Sequence, residues 1–387
     1  MKTIKLLNAI SPVVEEYLPA ERYAVGTDVE NPDAILVRSA DMNGMDLNSN
    51  LLAVARAGAG YNNIPVEQCS QKGIVVFNTP GANANAVREM VVCGMLLSGR
   101  KVVESIEWAK TLKGKGAEVP KLVEKGKGQF VGRELKGKCL GVIGVGAIGV
   151  LVANAAVAMD MKVLGYDTHM TVKSAWGLSR SVERAGSVNE IFQNCDYVTL
   201  HVPLNDDTKA MIGKDQLAMM KPDATILNFS RAELVDAPAV LEALREGKLH
   251  NYVVDFPTDE VIGQPGVIAI PHLGASTPES EDNCAVMAAN ELQDYLENGN
   301  IANSVNFPAC EMPRVSAHRV TIIHQNITNM VGQITTAVAE YKINIDNMIN
   351  KSRGNLAYTM LDLDEEPEEG LLRKIAEIEG ALRVRKV

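Results

Sequence analysis

The sequence predicts an α/β protein built on parallel, doubly wound sheets, with a small α+β module at its end. Two observations carry this. Short β-branched runs alternate with helical stretches over the first three hundred residues, a pattern that implies right-handed βαβ crossovers burying both faces of a parallel sheet. The final seventy residues switch to strand, helix, two strands, helix, strand, a βαββαβ order with its own core.

In chain order, "TIKLL", "AILV", "LLAVARAG" and "IVVFNT" read as four strands within the first eighty residues. "EMVVCGMLLSGRKVVESIEWAKTL" reads as one long helix with a wide apolar face. "LKGKGAEVPKLVEKGKG" is rich in Gly and Lys and lacks periodicity, so an exposed loop or domain crossing is expected. From "KCLGVIGVG" the strands resume, with "KVLGYD", "YVTLHV", "ATILNF", "YVVDF" and "VIAIPH" separated by helical spacers. A second long helix, "ESEDNCAVMAANELQDYLENG", follows, and "SVNFPACEMP" reads as a linker to the terminal module.

With 387 residues the chain is long enough for two or three domains. A net charge of −10 argues against a general nucleic-acid binder, which needs a basic face. The six cysteines form no CxxC pair and no zinc spacing, so free thiols of a reducing compartment and no metal site are expected. The N-terminus acquires acidic residues too early for a secretion signal, and no apolar run approaches membrane-spanning length. A cytoplasmic protein without membrane partners is the expectation.

The stretch "GVIGVGAIG" places Gly144, Gly146 and Gly149 in a G-x-G-x-x-G pattern directly after a strand and at the opening of a helix. The first glycine permits a tight turn, the second lets backbone approach a pyrophosphate, and the third lets helix and strand pack closely. The phosphates then meet unpaired N–H groups at the helix N-terminus, where Ala147 and Ile148 lie. Asp167 ends the next strand, eighteen residues after Gly149. A carboxylate there accepts ribose hydroxyls and repels a 2′-phosphate, which favours NAD over NADP.

In "VIAIPHLGAST", His272 follows a strand that stops at Pro271. Hydride removal from a C–OH carbon needs a base for the hydroxyl proton, and imidazole titrates in the right range. His272 also lies at the carboxyl end of a strand, where ligands bind in open α/β sheets. Asp255, Asp259 and Glu260 in "VVDFPTDEV" offer carboxylates to orient the ring. Arg231, in "NFSRAELVD" at the end of another strand, carries a planar fork suited to a substrate carboxylate.

The blocks "RAGAGYNNI", "NTPGANANAVREM", "LKGKCLGVIGVGAIG", "HVPLNDDTKAMI", "MKPDATILNFSRAELVD" and "IPHLGAST" resemble, in order, those of the D-isomer-specific 2-hydroxyacid dehydrogenases. The resemblance covers essentially the whole chain. It implies a flavodoxin-like substrate domain (residues 1–97, completed by the return helix 283–308) and a Rossmann NAD domain (98–282). The module at 318–387 stands apart. The active site is expected in the cleft between the first two domains.

The resemblance assigns the catalytic arginine to Arg231 and the histidine to His272. Its acid falls on Glu260, counted from the strand-ending Asp255, or on Asp259 if the "FPT" is aligned instead. Ala232 and Ala275 stand at small departures from the family pattern. Cofactor positions implied are Gly144, Gly146, Ala147, Ile148, Gly149, Asp167, His201, Val202, Pro203, Phe229, Ser230, Arg231, Asp255, His272, Gly274 and Ala275. Substrate positions implied are Arg38, Ser39, Ala59, Gly60 and Asn83. A substrate phosphate needs further cations, and Arg38, Lys121, Lys125 and Lys127 are the candidates.

The terminal module is similar to an ACT domain, a small ligand-sensing unit. That likeness implies L-serine as an effector at His324, Asn326 and Asn344. Thr328 and Asn329 replace the usual Pro-Gly, so a purely structural dimerisation module is the alternative. A homodimer is the minimum assembly implied.

Three functions follow. The first is NAD-dependent oxidation of D-3-phosphoglycerate to 3-phosphohydroxypyruvate, the entry to serine synthesis. The second is the same chemistry on another D-2-hydroxy acid, such as glycerate, glyoxylate or lactate. The third is a non-enzymatic, dinucleotide-sensing corepressor, against which the complete arginine, acid and histidine set argues.

Overall fold

The structure, a computed structural model, describes residues 1–387. Its contacts divide the chain into two compact units, Met1–Asn83 with Pro278–Val387, and Ala84–Thr277. The division falls at 83/84 and 277/278, where the sequence reading placed boundaries at 97/98 and 282/283.

The first unit opens with a five-stranded parallel sheet: β1 (Lys2–Leu7), β2 (Tyr23–Gly26), β3 (Ala34–Val37), β4 (Ala53–Arg56) and β5 (Val75–Asn78). The spatial order β2-β1-β3-β4-β5 is the flavodoxin-like 2-1-3-4-5 winding. β2 was not evident in the sequence, because a four-residue strand containing Gly26 carries little β signal. The helix Pro278–Asn298 returns to this sheet and buries Cys284, Ala285, Ala288, Leu292 and Tyr295 in one core with Ile4, Leu36, Ala53 and Phe77.

The second unit holds a seven-stranded parallel sheet: β6 (Cys139–Ile143), β7 (Lys162–Tyr166), β8 (Val182–Arg184), β9 (Tyr197–Leu200), β10 (Ala224–Asn228), β11 (Leu249–Val254) and β12 (Val267–Ala269). The order β12-β11-β10-β9-β6-β7-β8 reverses direction of winding between β6 and β9, the topological switch point where ligands bind in such sheets. The helix Ala84–Arg100 lies against this sheet so closely that a Cβ on Gly94 would meet Val253, Phe229 and Leu227 at 3.1–3.3 Å.

The long helix expected over residues 89–112 is two helices, Ala84–Arg100 and Val102–Lys110. Lys101 between them is left-handed (φ 47°), which no helix continues through. The stretch expected as a loop at 112–128 is largely helical, with a regular helix over Val119–Gly126 and Pro120 in its first turn, where proline is tolerated. Trp108 packs on Phe130 (centroids 5.4 Å) and lies where a Cβ on Gly126 would go, so two aromatic rings close this segment on itself.

The C-terminal module comprises β13 (His318–Gln325), β14 (Ile345–Arg353), β15 (Leu356–Leu363) and β16 (Ala381–Lys386), antiparallel in the order β14-β15-β13-β16. Successive side chains alternate between its faces. Val320, Ile322, Leu361 and Leu363 pack under the helices Met330–Glu340 and Glu369–Ala376, whereas Ile323, Tyr358 and Met360 belong to the core of the five-stranded sheet. The module therefore has a core of its own and shares a second one. Residues 304–313, expected as a linker, carry Phe307, Cys310 and Met312 into that shared core.

Candidate active site

The glycine loop has a distinct requirement at each of its three positions. Gly144 is left-handed (φ 90°), and a Cβ there would lie 2.4 Å from the carbonyl oxygen of His201. A Cβ on Gly149 would lie 2.0 Å from the Gly144 carbonyl oxygen, so no side chain fits between helix and loop. Gly146 differs: a Cβ there meets nothing within 4 Å. The space kept open at Gly146 fronts the helix Ala147–Ala158, whose N-terminus has no side-chain cap. Ala147 and Ile148 thus present helix-terminal N–H groups toward that space, the arrangement a pyrophosphate requires. The residues present fit a dinucleotide.

Asp167 is half-buried and braces this loop. Its Oδ2 accepts the Val145 N–H at 2.7 Å and its Oδ1 accepts the His169 N–H at 2.7 Å. His201 directly follows β9 beside Gly144, its Nε2 sits 3.0 Å from the Thr199 hydroxyl, and its Nδ1 is buried without a partner. Burial pushes its pKa down to about 3, so His201 is neutral throughout the physiological range. Val202 is half-buried beside the Gly144 turn, and the Pro203 carbonyl accepts the Thr208 hydroxyl at 2.6 Å.

At the end of β10, Phe229 is buried, and the Ser230 hydroxyl donates to the Leu200 carbonyl at 2.7 Å, tying β10 to β9. Asn228 is the organiser that the sequence did not disclose. Fully buried, it accepts the Ser230 N–H (3.2 Å) and donates to the Arg231 carbonyl (2.8 Å), fixing the turn from which the exposed Arg231 side chain projects.

At the end of β11, Asp255 is 1% exposed. Its two carboxylate oxygens accept the N–H groups of Leu273 and Gly274, each at 2.8 Å, and its carbonyl accepts the His272 N–H at 2.9 Å. A Cβ on Gly274 would strike Asp255 Oδ2 at 2.7 Å. His272 itself is left-handed (φ 52°), an unfavourable conformation for a residue with a Cβ. Asp255 holds it there by clamping the backbone on both sides. Burial raises the Asp255 pKa, against the two backbone hydrogen bonds and the neighbouring His272, which act to lower it. Asp255 thus serves the loop that carries His272. Ala275, half-buried, packs against the core beneath that loop.

Phe256 brings Arg231 and His272 together. Its ring centroid lies 4.3 Å from that of His272, and the Arg231 guanidinium carbon lies 5.1 Å from the same centroid. Sequence reasoning missed Phe256, although its position directly after the strand-ending Asp255 was a signal available to it. Asp259 and Glu260 are both exposed in the turn after Thr258, and neither forms a hydrogen bond or ion pair with His272.

In the first unit, Arg38 directly follows β3 and pairs with Glu281 at 2.5 Å, each side chain about two-fifths exposed. Ser39 is exposed and accepts Asn8 Nδ2 at 3.5 Å. The Ala59 carbonyl accepts Asn78 Nδ2 at 2.6 Å, while Gly60 and Asn83 are half-exposed. Lys121, Lys125 and Lys127 are exposed on the helical segment, with Lys127 paired to Glu124 at 2.5 Å.

The three proposed effector residues are not alike. His324 is 1% exposed, and both its nitrogens are engaged, Nδ1 with the Gln325 carbonyl (2.8 Å) and Nε2 with the Thr359 hydroxyl (2.9 Å). Asn326 is exposed and donates to the Gly354 carbonyl at 3.2 Å. Asn344 is exposed, with its backbone N–H on Asp364. No hydrogen bond links any two of the three.

Comparison with known proteins agrees with this geometry. Residues 94–274 match the family described as D-isomer specific 2-hydroxyacid dehydrogenase, NAD binding domain. A D-3-phosphoglycerate dehydrogenase of Methanocaldococcus jannaschii is 32% identical over 87% of this chain and 62% of its own length. One of Escherichia coli K12 is 30% identical over 87% of this chain and 81% of its own length. A crystal structure of NAD+-bound 3-phosphoglycerate dehydrogenase from Entamoeba histolytica superposes with a TM-score of 0.60 at 27% identity, covering 79% of this chain and 98% of that one. With its glycine loop, its Arg231–Phe256–His272 cluster and these relatives, the chain belongs to the D-isomer-specific 2-hydroxyacid dehydrogenase family, and its second unit carries that family's NAD-binding domain.

Proposed function

We propose that this protein oxidises D-3-phosphoglycerate to 3-phosphohydroxypyruvate with NAD, the entry to serine synthesis. The observation that carries the proposal is the meeting of Arg231 and His272 on the Phe256 ring, at the strand ends of the NAD-binding sheet. The names of the relatives at 30–32% identity support the substrate.

In this reading the Arg231 guanidinium holds the substrate carboxylate and the adjacent C2 oxygen. His272 takes the C2 hydroxyl proton as hydride leaves the same carbon. NAD, when bound, supplies the hydride acceptor. Gly144, Gly146, Ala147, Ile148 and Gly149 would receive its pyrophosphate, and Asp167 its adenosine ribose. His201, Val202, Pro203, Phe229, Ser230, Gly274 and Ala275 would line its seat, and Asp255 would act through the His272 loop. Glu260 would stabilise the protonated imidazole once the 258–263 turn brings it to the ring, with Asp259 the alternative. Ser39, Ala59, Gly60 and Asn83 would contact substrate. Arg38, released from Glu281, and Lys121, Lys125 or Lys127 would meet its phosphate.

The terminal module would sense L-serine through the exposed Asn326 and Asn344, with the buried His324 shaping the strand end between them. A homodimer would complete the assembly. The six free cysteines suit a reducing cytoplasm.

A substrate panel tests the reaction. NADH formation should be strongest with D-3-phosphoglycerate and weak with D-glycerate or D-lactate. Equal rates for the unphosphorylated acids would move the assignment to another 2-hydroxy acid of the same family.

A further inference from the structure

Outside the active site, two thiols face each other in the NAD-binding unit. Cys139 opens β6, and Cys195 closes the helix Val188–Asn194 two residues before β9, the neighbour of β6 in the sheet. Their sulfur atoms are 3.5 Å apart. The backbones are locked in register beside them: the Cys139 N–H donates to Asp196 Oδ2 at 2.8 Å, and the Asp196 N–H donates to the Cys139 carbonyl at 2.8 Å. A disulfide needs sulfurs about 2.05 Å apart, so the pair must close by roughly 1.5 Å. Neither thiol takes part in the proposed dehydrogenase chemistry.

We propose that Cys139 and Cys195 form an oxidant-reactive dithiol site that peroxides convert to a reversible disulfide. The two cysteines have separate roles. Cys139 is half-buried and is the member of the pair that a small oxidant meets first, whereas Cys195 is fully buried. Lys221, Lys162 and Asp196 are the charges that face the pair, and Lys221 is itself tied to Asp196 at 2.8 Å. The hydrogen bond with Cys195 lowers the Cys139 pKa, while that same bond and burial raise the Cys195 pKa. Cys139, the partly exposed member of the pair, is the thiolate that attacks.

The Cys139 thiolate attacks one oxygen of hydrogen peroxide, the O–O bond breaks, and hydroxide leaves, taking up a proton as water. Cys139 becomes a sulfenic acid. The Cys195 sulfur then attacks the Cys139 sulfur, forming the S–S bond and expelling the second water, formed with the Cys195 proton. Two thiols are oxidised and one peroxide is reduced.

The test is peptide mapping of the full native chain after brief exposure to hydrogen peroxide, with free thiols alkylated before proteolysis. A Cys139–Cys195 linked peptide should form ahead of any change at half-buried Cys93, and dithiothreitol should remove it. Cys195→Ser should stop at a Cys139 sulfenic acid that dimedone traps, and Cys139→Ser should leave Cys195 unmodified. Overoxidation of Cys139 to sulfinic acid in the wild-type chain without the linked peptide would overturn the proposal. So would a linked peptide that appears only after urea is added.

Discussion

The imidazole of His272 lies 4.3 Å from the ring of Phe256, centroid to centroid, at an interplanar angle of 43°. The same ring carries the Arg231 guanidinium on its face at 5.1 Å. One aromatic side chain therefore sets the positions of both the proposed base and the proposed carboxylate anchor. Phe256→Leu keeps the apolar bulk but removes ring stacking and the cation–π contact, each about 0.5–1.5 kcal/mol. The expected result is a fall in kcat/KM of roughly tenfold with unchanged NAD affinity. Steady-state kinetics alongside NAD titration would check it, and parallel losses in both would show a general loosening of the unit.

Asp167 accepts two backbone N–H groups in addition to its proposed ribose contact. Asp167→Ala should weaken NAD and raise the relative efficiency with NADP, since the charge opposing a 2′-phosphate is gone. The ratio of kcat/KM for the two cofactors is the measurement. An unchanged ratio would leave Asp167 with only its bracing role at Val145.

Glu260 and Asp259 both stand free of His272 in the structure, so their assignment rests on function. If Glu260 stabilises the imidazolium, Glu260→Gln lowers the histidine's apparent pKa, because the stabilising charge is lost. Oxidation needs neutral His272, so its acidic limb should move to lower pH. The reverse reaction needs protonated His272 and should suffer more at neutral pH. A shift in Asp259→Asn and none in Glu260→Gln would transfer the role to Asp259.

Glu291 predicts a pH effect on stability. It is 8% exposed, its Oε2 has no partner, and burial raises its pKa to about 8. Between its unfolded value near 4.5 and about 8, the folded chain holds a proton that the unfolded chain has lost. Stability therefore falls as pH rises through that window, by at most about 1.4 kcal/mol for each pH unit crossed. Glu291→Gln removes the titration and keeps an acceptor for Asn303, which now bonds Oε1 at 2.7 Å. The melting temperature of the variant relative to wild type should rise from pH 5 to pH 8. A constant difference across that range would place the carboxyl in contact with water.

The sequence disclosed what depends on local pattern. The glycine spacing at 144–149, the parallel strands, the βαββαβ ending and the strand-end positions of Arg231 and His272 were all legible. What stayed hidden depends on which backbone groups a side chain serves. Asn228 fixes its own turn and Asp255 fixes the distant His272 loop, and a polar residue at a strand end has no sequence mark for either use. The helix at Val119–Gly126 was obscured by the glycines and lysines around it, although Val119, Leu122 and Val123 recur at helical spacing and form its apolar stripe. The second core of the terminal module likewise depends on Ile323, Tyr358 and Met360, whose alternation shows burial but not the partner.

The most direct measurement compares wild type and His272→Ala for NADH formation from D-3-phosphoglycerate, with NAD affinity determined in parallel by titration. Turnover should be about 10²–10⁴-fold lower in the variant, the range of one acid–base group, with NAD affinity essentially unchanged. Wild-type turnover retained by the variant, or NAD binding lost together with turnover, would contradict His272 as the base.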